Sequence, residues 1–424
     1  MRVGRWIASA LVAANVAVVV ALWWDGVGTI DSGAELLATL GRLTGLLGAL
    51  VALLALLLIG LGRLAARHAA LGRLCLGLLI AHAVLITAGY TAGDGITLWA
   101  ELGRLVSGYP GVITAIAGLA LLIVVAVTSA RAARRRLRYE TWYFIHLYSY
   151  LAVALAFSHQ IAVGTAFVGR PVARAYWIAL YVLALGALVV LRLGVPFARS
   201  LYHRLRVERV IAEGPGVTSI EIGGRRLERL RARSGQFFTW RFLTRDRWWE
   251  AHPFSLSAAP DGRRLRITVK GVGGYTEALR ALKPGTRVIA EGPFGGFTAA
   301  ARRRRRVLLI AGGVGITPIR ALLEDMPATP GDIAVVYRAQ RPDDVILRDE
   351  LDALAATRGA ELHYVLGERD GELLSPAHLR ELVPDIAERD VYLCGSPAMT
   401  AATRASLDRS GVPGRHIVTE RFAF

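Results

Sequence analysis

The sequence predicts a multi-domain chain: an α-helical membrane bundle of six spans, then an antiparallel β domain, then a parallel α/β domain. Three observations carry this prediction. Of 424 residues, 54% are hydrophobic, too apolar for an ordinary soluble protein in a chain too long for one compact domain. The excess is confined to residues 1–195, dominated by Leu, Ala, Val and Gly, whereas 200–424 carry frequent Arg, Asp and Glu. Near residue 300 the pattern changes again, from short β-like runs to alternating strands and helices.

Stretches 6–24, 43–61, 66–90, 109–130, 141–163 and 175–195 reach or approach the length that crosses ~30 Å of hydrocarbon. The first follows a basic start, as a cleaved leader would. It ends on Trp23 and Trp24, a pair suited to a membrane interface, and is read as a retained span. The connecting loops sort by charge. Arg63 and Arg67 mark one, and Arg131, Arg134, Arg135, Arg136 and Arg138 another. The opposite loops, 25–42, 91–108 and 164–174, hold Asp25, Asp31, Glu35, Asp94 and Glu101. The positive-inside rule then places both termini in the cytoplasm and the chain in the plasma membrane.

The net charge of +18 is nearly all arginine, with Lys only at 270 and 283. The basic residues gather at helix ends rather than on one soluble face with interleaved aromatics, which argues against nucleic acid. Cys75 and Cys394 lie in different halves. That excludes a four-cysteine cluster or zinc ribbon and argues against a disulfide.

From 205 to 298 the runs "RVERVIA", "VTSIEIGG", "GQFFTWRFL", "RLRITVKG" and "TRVIAEGPFG" suggest an antiparallel barrel or sandwich. From 306, "RVLLIAGG", "DIAVVYRAQ", "ELHYVLGE" and "DVYLCG" alternate with helical segments in a parallel, Rossmann-like pattern. The expected domains are 1–200, 201–300 and 301–424. "RRRRR" at 302–306 reads as a solvated lead-in to a strand.

Four histidines stand inside spans: His68 and His82 in the third, His146 and His159 in the fifth. An ionisable residue within the bilayer is costly, and points to function. Both spans run inward to outward, which levels His68 with His146 and His82 with His159, the two levels ~21 Å apart. Each pair could hold a haem iron between two imidazoles, and neutral rings without carboxylates suit haem better than a hard cation or zinc. At 100° per residue His68 and His82 lie about 40° apart around the helix, but His146 and His159 about 140°. Span five therefore needs a tightened turn, a kink or a rotated approach.

In the soluble half, "HPFSLS" at 252–257 precedes "KGVGGYT" at 270–276. A buried pyrophosphate needs a cation, backbone N–H groups and a helix start, and Lys270, Gly273 and Thr276 supply these. "GGVGITP" at 312–318 follows a strand and opens a helix, where Gly312, Gly313 and Gly315 permit close approach of a phosphate and Thr317 adds a hydroxyl. "YLCGSPAM" at 392–399 ends a late strand, where open α/β sheets bind ligands. The C-terminal "HIVTERFAF" could end inside a site.

Taken together, the 14- and 13-residue histidine spacings, "HPFSLS", "GPFG" at 292–295, "GGVGITP", "CGSPAM" and the aromatic end resemble the ferric reductase and NADPH oxidase superfamily, over nearly the whole chain. The resemblance implies six spans around two b-type haems, a flavin barrel and a nicotinamide domain. It makes His68, His82, His146 and His159 axial ligands, and the unequal spacing is the family's own. It places His252 and Pro253 in the flavin phosphate region, Phe254 against the isoalloxazine, and Ser255 near its reactive nitrogen. Lys270, Gly273 and Thr276 would contact the flavin pyrophosphate. Gly312, Gly313, Gly315, Thr317 and Pro318 would hold the nicotinamide cofactor's phosphates. Cys394 and Gly395 would lie near the nicotinamide, and Phe424 would shield the flavin. Ser255, Cys394 and Phe424 are the expected catalytic residues. Arg338 and Arg341 are candidates for a 2′-phosphate, favouring NADPH over NADH. One of Arg67 and Arg73 is expected on an inner haem propionate. No calcium-binding or ferredoxin domain is evident.

The implied activity is electron transfer across the bilayer, from NADPH through FAD and two haems to a small external acceptor, oxygen or a ferric or cupric chelate. The rivals are a membrane-anchored flavoprotein reductase without haem and a transporter with a regulatory nucleotide domain. The sequence does not specify oligomeric state or accessory subunits.

Overall fold

A computed structural model describes residues 2–60, 65–130, 133, 137, 139–367 and 373–421. The chain forms two compact units, Met1–Leu193 and Gly194–Phe424.

The first unit is helical: α1 (Arg2–Asp25), α2 (Gly33–Gly60), α3 (Ala65–Asp94), α4 (Leu98–Gly108), α5 (Val112–Ser129), α6 (Tyr139–Leu155), α7 (Phe157–Val163) and α8 (Pro171–Val189). A five-residue π-helical turn, Val190–Gly194, follows, and leads into α9 (Val195–His203) of the second unit. Among the described residues four helices are long and apolar enough to span: Gly33–Leu58, His68–Asp94, Val112–Ser129 and Pro171–His203. The expectation of six is thus met only in part. In α1 the described apolar stretch is Ser9–Asp25, within a helix of 24 residues. The expected fifth span is interrupted at Ala156, which divides it into helices of 17 and 7 residues. The basic loop positions Arg63, Arg131, Arg134, Arg135, Arg136 and Arg138 lie outside the described residues. Arg67 lies in α3, with its side chain outside the described residues, while Arg73 is exposed.

The core of this unit is Leu50, Leu53, Leu56, Phe167, Trp177, Tyr181 and their neighbours. Glycines on both α2 and α3 let the two helices approach closely. A Cβ at Gly48 would come within 2.8 Å of Leu79, and one at Gly89 within 2.7 Å of the Ala38 backbone. Small residues at contact points are how helices pack where burial from water offers no drive.

The second unit opens with two three-stranded antiparallel sheets, ordered β1-β2-β5 and β4-β3-β6. The strands are β1 (Arg206–Gly214), β2 (Val217–Gly223), β3 (Phe237–Phe242), β4 (His252–Ser255), β5 (Arg264–Lys270) and β6 (Val288–Phe294). The short helix α10 (Gly274–Ala278) follows β5. Trp240, Phe238, Phe242, Ile220, Ile222, Leu256 and Ile267 fill the space between the sheets. The expected barrel is not formed: the sheets are joined only by single bridges, Arg206 to Arg287 and Leu256 to Ile267, and do not close. Strand β4 has four residues, one of them Pro253. Proline lacks the N–H that a further neighbour would need, so β4 remains an edge.

The remaining elements form a five-stranded parallel sheet ordered β11-β10-β7-β8-β9. They are β7 (Val307–Gly312), α11 (Ile316–Asp325), β8 (Ile333–Ala339), α12 (Arg348–Arg358), β9 (Glu361–Leu366), α13 (Pro376–Leu382), β10 (Asp390–Gly395), α14 (Pro397–Arg409) and β11 (Ile417–Arg421). Residues 307–311 are wholly buried, as a central parallel strand covered on both faces must be. Strand β7 has β8 on one side and β10 on the other, so the connections diverge there. That divergence opens a crevice at the carboxyl ends of β7 and β10. The arginine run ahead of β7 is solvated, as expected, and two of its residues also pair: Arg305 with Asp332 at 2.9 Å and Arg306 with Asp385 at 2.7 Å.

Candidate functional site

In the helical unit the four histidines face each other two by two. The ring centroids of His68 and His146 are 5.9 Å apart, and those of His82 and His159 are 6.3 Å apart. The chain brings His159 into line by the break at Ala156, which lies between His146 and His159 and re-aims the second. Two of the rings are anchored on backbone carbonyls: His82 Nδ1 on Gly41 O at 2.7 Å, and His68 Nδ1 on Ala55 O at 3.3 Å. A carbonyl only accepts, so the proton sits on Nδ1 and the Nε2 lone pair remains for another partner. His146 Nδ1 lies 3.5 Å from Ser129 Oγ, which also accepts from Trp142 Nε1 at 3.1 Å. Gly45 makes room for His82, since a Cβ there would lie 2.6 Å from its Nδ1. Among the described residues no group of three or more His, Cys, Asp or Glu could hold a bare metal ion.

In the second unit the separate motifs converge along one path. Ser255 lies opposite Phe237 in the β3–β4 register, and Phe237 opposite Phe294 of β6, their rings 5.7 Å apart. Gly295 follows, and the Glu420 carboxylate lies 3.9 Å from where its Cβ would stand. Glu420 in turn pairs in register with Cys394 across β10 and β11. Sequence reading missed Glu420. Its signal was faint, one acid in a strand-like terminus. Burial pushes its carboxyl up to about 7. Burial also raises the Cys394 thiol, with Glu420 adding to the effect, so Cys394 is not a thiolate near neutral pH.

His252 stacks on Tyr275 at 3.9 Å, which ties "HPFS" to the glycine turn at 271–274. Pro253 is exposed and Phe254 half-buried, while Ser255 is buried. Thr276 Oγ1 accepts from the N–H groups of Val272 and Gly273 and donates to Gly273 O, so it shapes the turn from within. Lys270 is exposed, 3.9 Å from Asp344.

At the crevice, Gly313 has φ of +54°, a left-handed conformation that favours glycine. A Cβ on Gly315 would strike the Cys394 carbonyl, and Gly312 and Gly395 both abut Met399. The glycines thus let β7 and β10 close on one another. Thr317 Oγ1 donates to Val314 O at 3.0 Å inside the loop, and Pro318 is buried in α11. Tyr337, also overlooked, is fully buried. Its hydroxyl donates to Gly313 O at 3.2 Å and accepts from Ile346 N at 3.3 Å. Arg338 donates to the carbonyls of Gly367, at 2.6 Å, and Ala339. Arg341 is exposed and paired with Asp344 at 3.3 Å. Phe424 lies outside the described residues.

Residues 35–157 match the family model described as ferric reductase like transmembrane component, 216–297 an FAD-binding domain, and 309–405 an oxidoreductase NAD-binding domain. Together the three matches give the chain a ferric reductase and NADPH oxidase-like architecture. Its membrane match takes in three of the four histidines and stops two residues short of His159. Ferredoxin–NADP reductase B of Sorangium cellulosum is 30% identical over 187 residues, covering 40% of this chain and 77% of that one. NADH-cytochrome b5 reductase 1 of Emericella nidulans is 31% identical, covering 33% of this chain and 50% of that one. A flavohemoprotein of Pseudomonas putida is 34% identical, covering 38% and 43%. The chain spans about half the length of most curated relatives it matches. The solved FAD/NAD-binding domain of a nitric oxide dioxygenase from Vibrio cholerae is 24% identical with a TM-score of 0.43, covering 51% of this chain and 98% of that one. This ferric reductase-like protein is an NAD(P)H oxidoreductase, with FAD- and NAD-binding domains joined to a membrane-embedded helical part.

Proposed function

We propose that the protein moves electrons from cytoplasmic NADPH, through FAD and two b-type haems, to a small acceptor on the extracytoplasmic face of the plasma membrane. The observation that carries this reading is the pairwise facing of His68 with His146 and His82 with His159. Each facing pair, with ring centroids near 6 Å apart, would hold one haem iron between its two imidazoles. Two imidazoles cannot complete a bare metal's coordination, but they suit an iron whose other four positions belong to a macrocycle. When bound, the flavin takes a hydride and returns electrons singly, and each haem iron carries one electron at a time.

The chain's own residues then have defined tasks. The Gly41 and Ala55 carbonyls hold two rings in the tautomer that leaves Nε2 open. Tyr337 fixes the glycine loop proposed for the nicotinamide cofactor's phosphates. Glu420 stands in register with Cys394, and burial raises both groups, so Cys394 stays a thiol and Glu420 gains its charge as pH rises through about 7. His252, Pro253, Phe254, Lys270, Gly273 and Thr276 remain proposed flavin contacts, and Gly312, Gly313, Gly315, Thr317, Pro318 and Gly395 nicotinamide contacts. Arg341, exposed, is favoured over Arg338 for a 2′-phosphate. The test is a dithionite-reduced-minus-oxidised spectrum of purified protein, followed by NADPH oxidation in membranes with oxygen or a ferric chelate as sole acceptor. A b-type α-band reduced by NADPH supports the relay. A flavin spectrum alone would leave the haem-free, membrane-anchored reductase.

A further inference from the structure

The seven-residue helix α7 that carries His159 is too short to hold its own orientation. Among the described residues, His159 Nδ1 is buried and makes no hydrogen bond of normal geometry, with the Ala156 carbonyl only loosely beside it. Something else must fix this ring.

The next residue, Gln160, is tied on three sides. Its Oε1 accepts from Trp177 Nε1 at 2.7 Å and from Tyr181 Oη at 3.1 Å. Its Nε2 donates to Ala156 O, at the helix break itself, at 2.9 Å. Trp177 and Tyr181 sit one turn apart on α8, 0% and 4% exposed, within the helical core. Phe157, the first residue of α7, packs on Tyr181 with ring centroids 4.6 Å apart. On the opposite side, Gly111 at the start of α5 has φ of +80°, and a Cβ there would lie 2.8 Å from His159 N. Thr114 Oγ1 meets Ser158 Oγ at 3.1 Å.

We infer that Gln160 is a positioning residue: clamped by Trp177 and Tyr181, it sets the direction in which His159 faces His82. The inference rests on the haem reading proposed above. An amide suits the task because it offers an acceptor to two donors and a donor to one carbonyl in an apolar setting, where each unmet group is costly. The role that the Gly41 carbonyl plays under His82 is thereby taken, for His159, by the side chain of the next residue, itself held by the neighbouring helix.

The test uses the full chain purified from membranes, with low-temperature EPR of the oxidised protein and haem-resolved redox titration. Gln160→Met keeps the bulk and removes all three hydrogen bonds. One of the two low-spin haem signals should shift its largest g value or convert to high spin, with the other unchanged. Gln160→Glu, whose neutral form restores two acceptor bonds and one donor bond, should return the signal. Trp177→Phe removes one donor while keeping an aromatic ring, and should give a smaller shift of the same signal. Both signals unchanged in Gln160→Met, or both lost equally in Gln160→Met, Gln160→Glu and Trp177→Phe, would overturn the positioning role while leaving the haem reading intact. A wild-type protein with no b-type haem would overturn both.

Discussion

Arg266 and Glu350 meet through two parallel hydrogen bonds of 2.7 Å each. They join β5, in the antiparallel part of the second unit, to α12 of the parallel part. Arg320 adds an ion pair to Glu350, Nε to Oε2 2.9 Å, and pairs in turn with Glu324, whose carboxylate accepts from Ala259 N. The network holds the segment after "HPFSLS" against the helix that follows the glycine loop.

Replacing Glu350 with Gln should weaken this join. The carboxylate is a third exposed, so water replaces part of the loss, and about 1–2 kcal/mol is expected rather than the larger cost of a fully buried pair. For a unit of this size that lowers Tm by roughly 2–6 °C. The hydrogen bonds from Arg266 hold the Glu350 carboxyl below its usual range. Its contribution is therefore complete above the ordinary carboxylate pKa and is lost as pH falls through the lowered value. Thermal unfolding of wild type and Glu350→Gln across that range should converge in acid.

Glu420 behaves in the opposite sense. Burial raises its carboxyl from 4.5 to about 7. The folded state then binds the proton more tightly than the unfolded one, and stability falls as pH rises from 4.5 to 7, with the penalty complete above 7. The rate of NAD(P)H-to-dye electron transfer should show a step near pH 7, and Glu420→Gln should remove that step. A step that persists in the variant would assign it to another group.

Tyr337→Phe deletes the hydroxyl shared by Gly313 O and Ile346 N. About 1 kcal/mol of loop positioning should be lost, seen as a KM for NAD(P)H raised roughly fivefold with flavin content unchanged. Unchanged KM would show that the loop is held by its glycines and β10 alone.

His82→Ala or His159→Ala should abolish reduction of an external acceptor, beyond the 10–100-fold that loss of an outer-shell partner costs. NAD(P)H-to-dye transfer in the soluble half should stay within about twofold, since a membrane ligand leaves the earlier steps intact. Equal loss of both activities would point to misfolding instead.

Much of this was legible in one dimension. Histidine spacing, glycine turns and strand runs report local chemistry and period, and those are properties of the chain itself. Six hydrophobic stretches were visible, but the break at Ala156 was not. No proline or glycine marks it, and the 140° mismatch between His146 and His159 only required that some break exist. Open versus closed sheets turned on pairing between distant strands, which period-2 patterning does not encode.

The sequence by itself determined the order of modules, the apolar helices and the residue types available for electron transfer. Only the tertiary structure decided how closely each expected histidine pair meets, that Glu420 stands opposite Cys394, and that Gln160 is gripped by Trp177 and Tyr181. Composition and period act between near neighbours, whereas a 2.7 Å hydrogen bond between residues 17 positions apart exists only once two helices have packed.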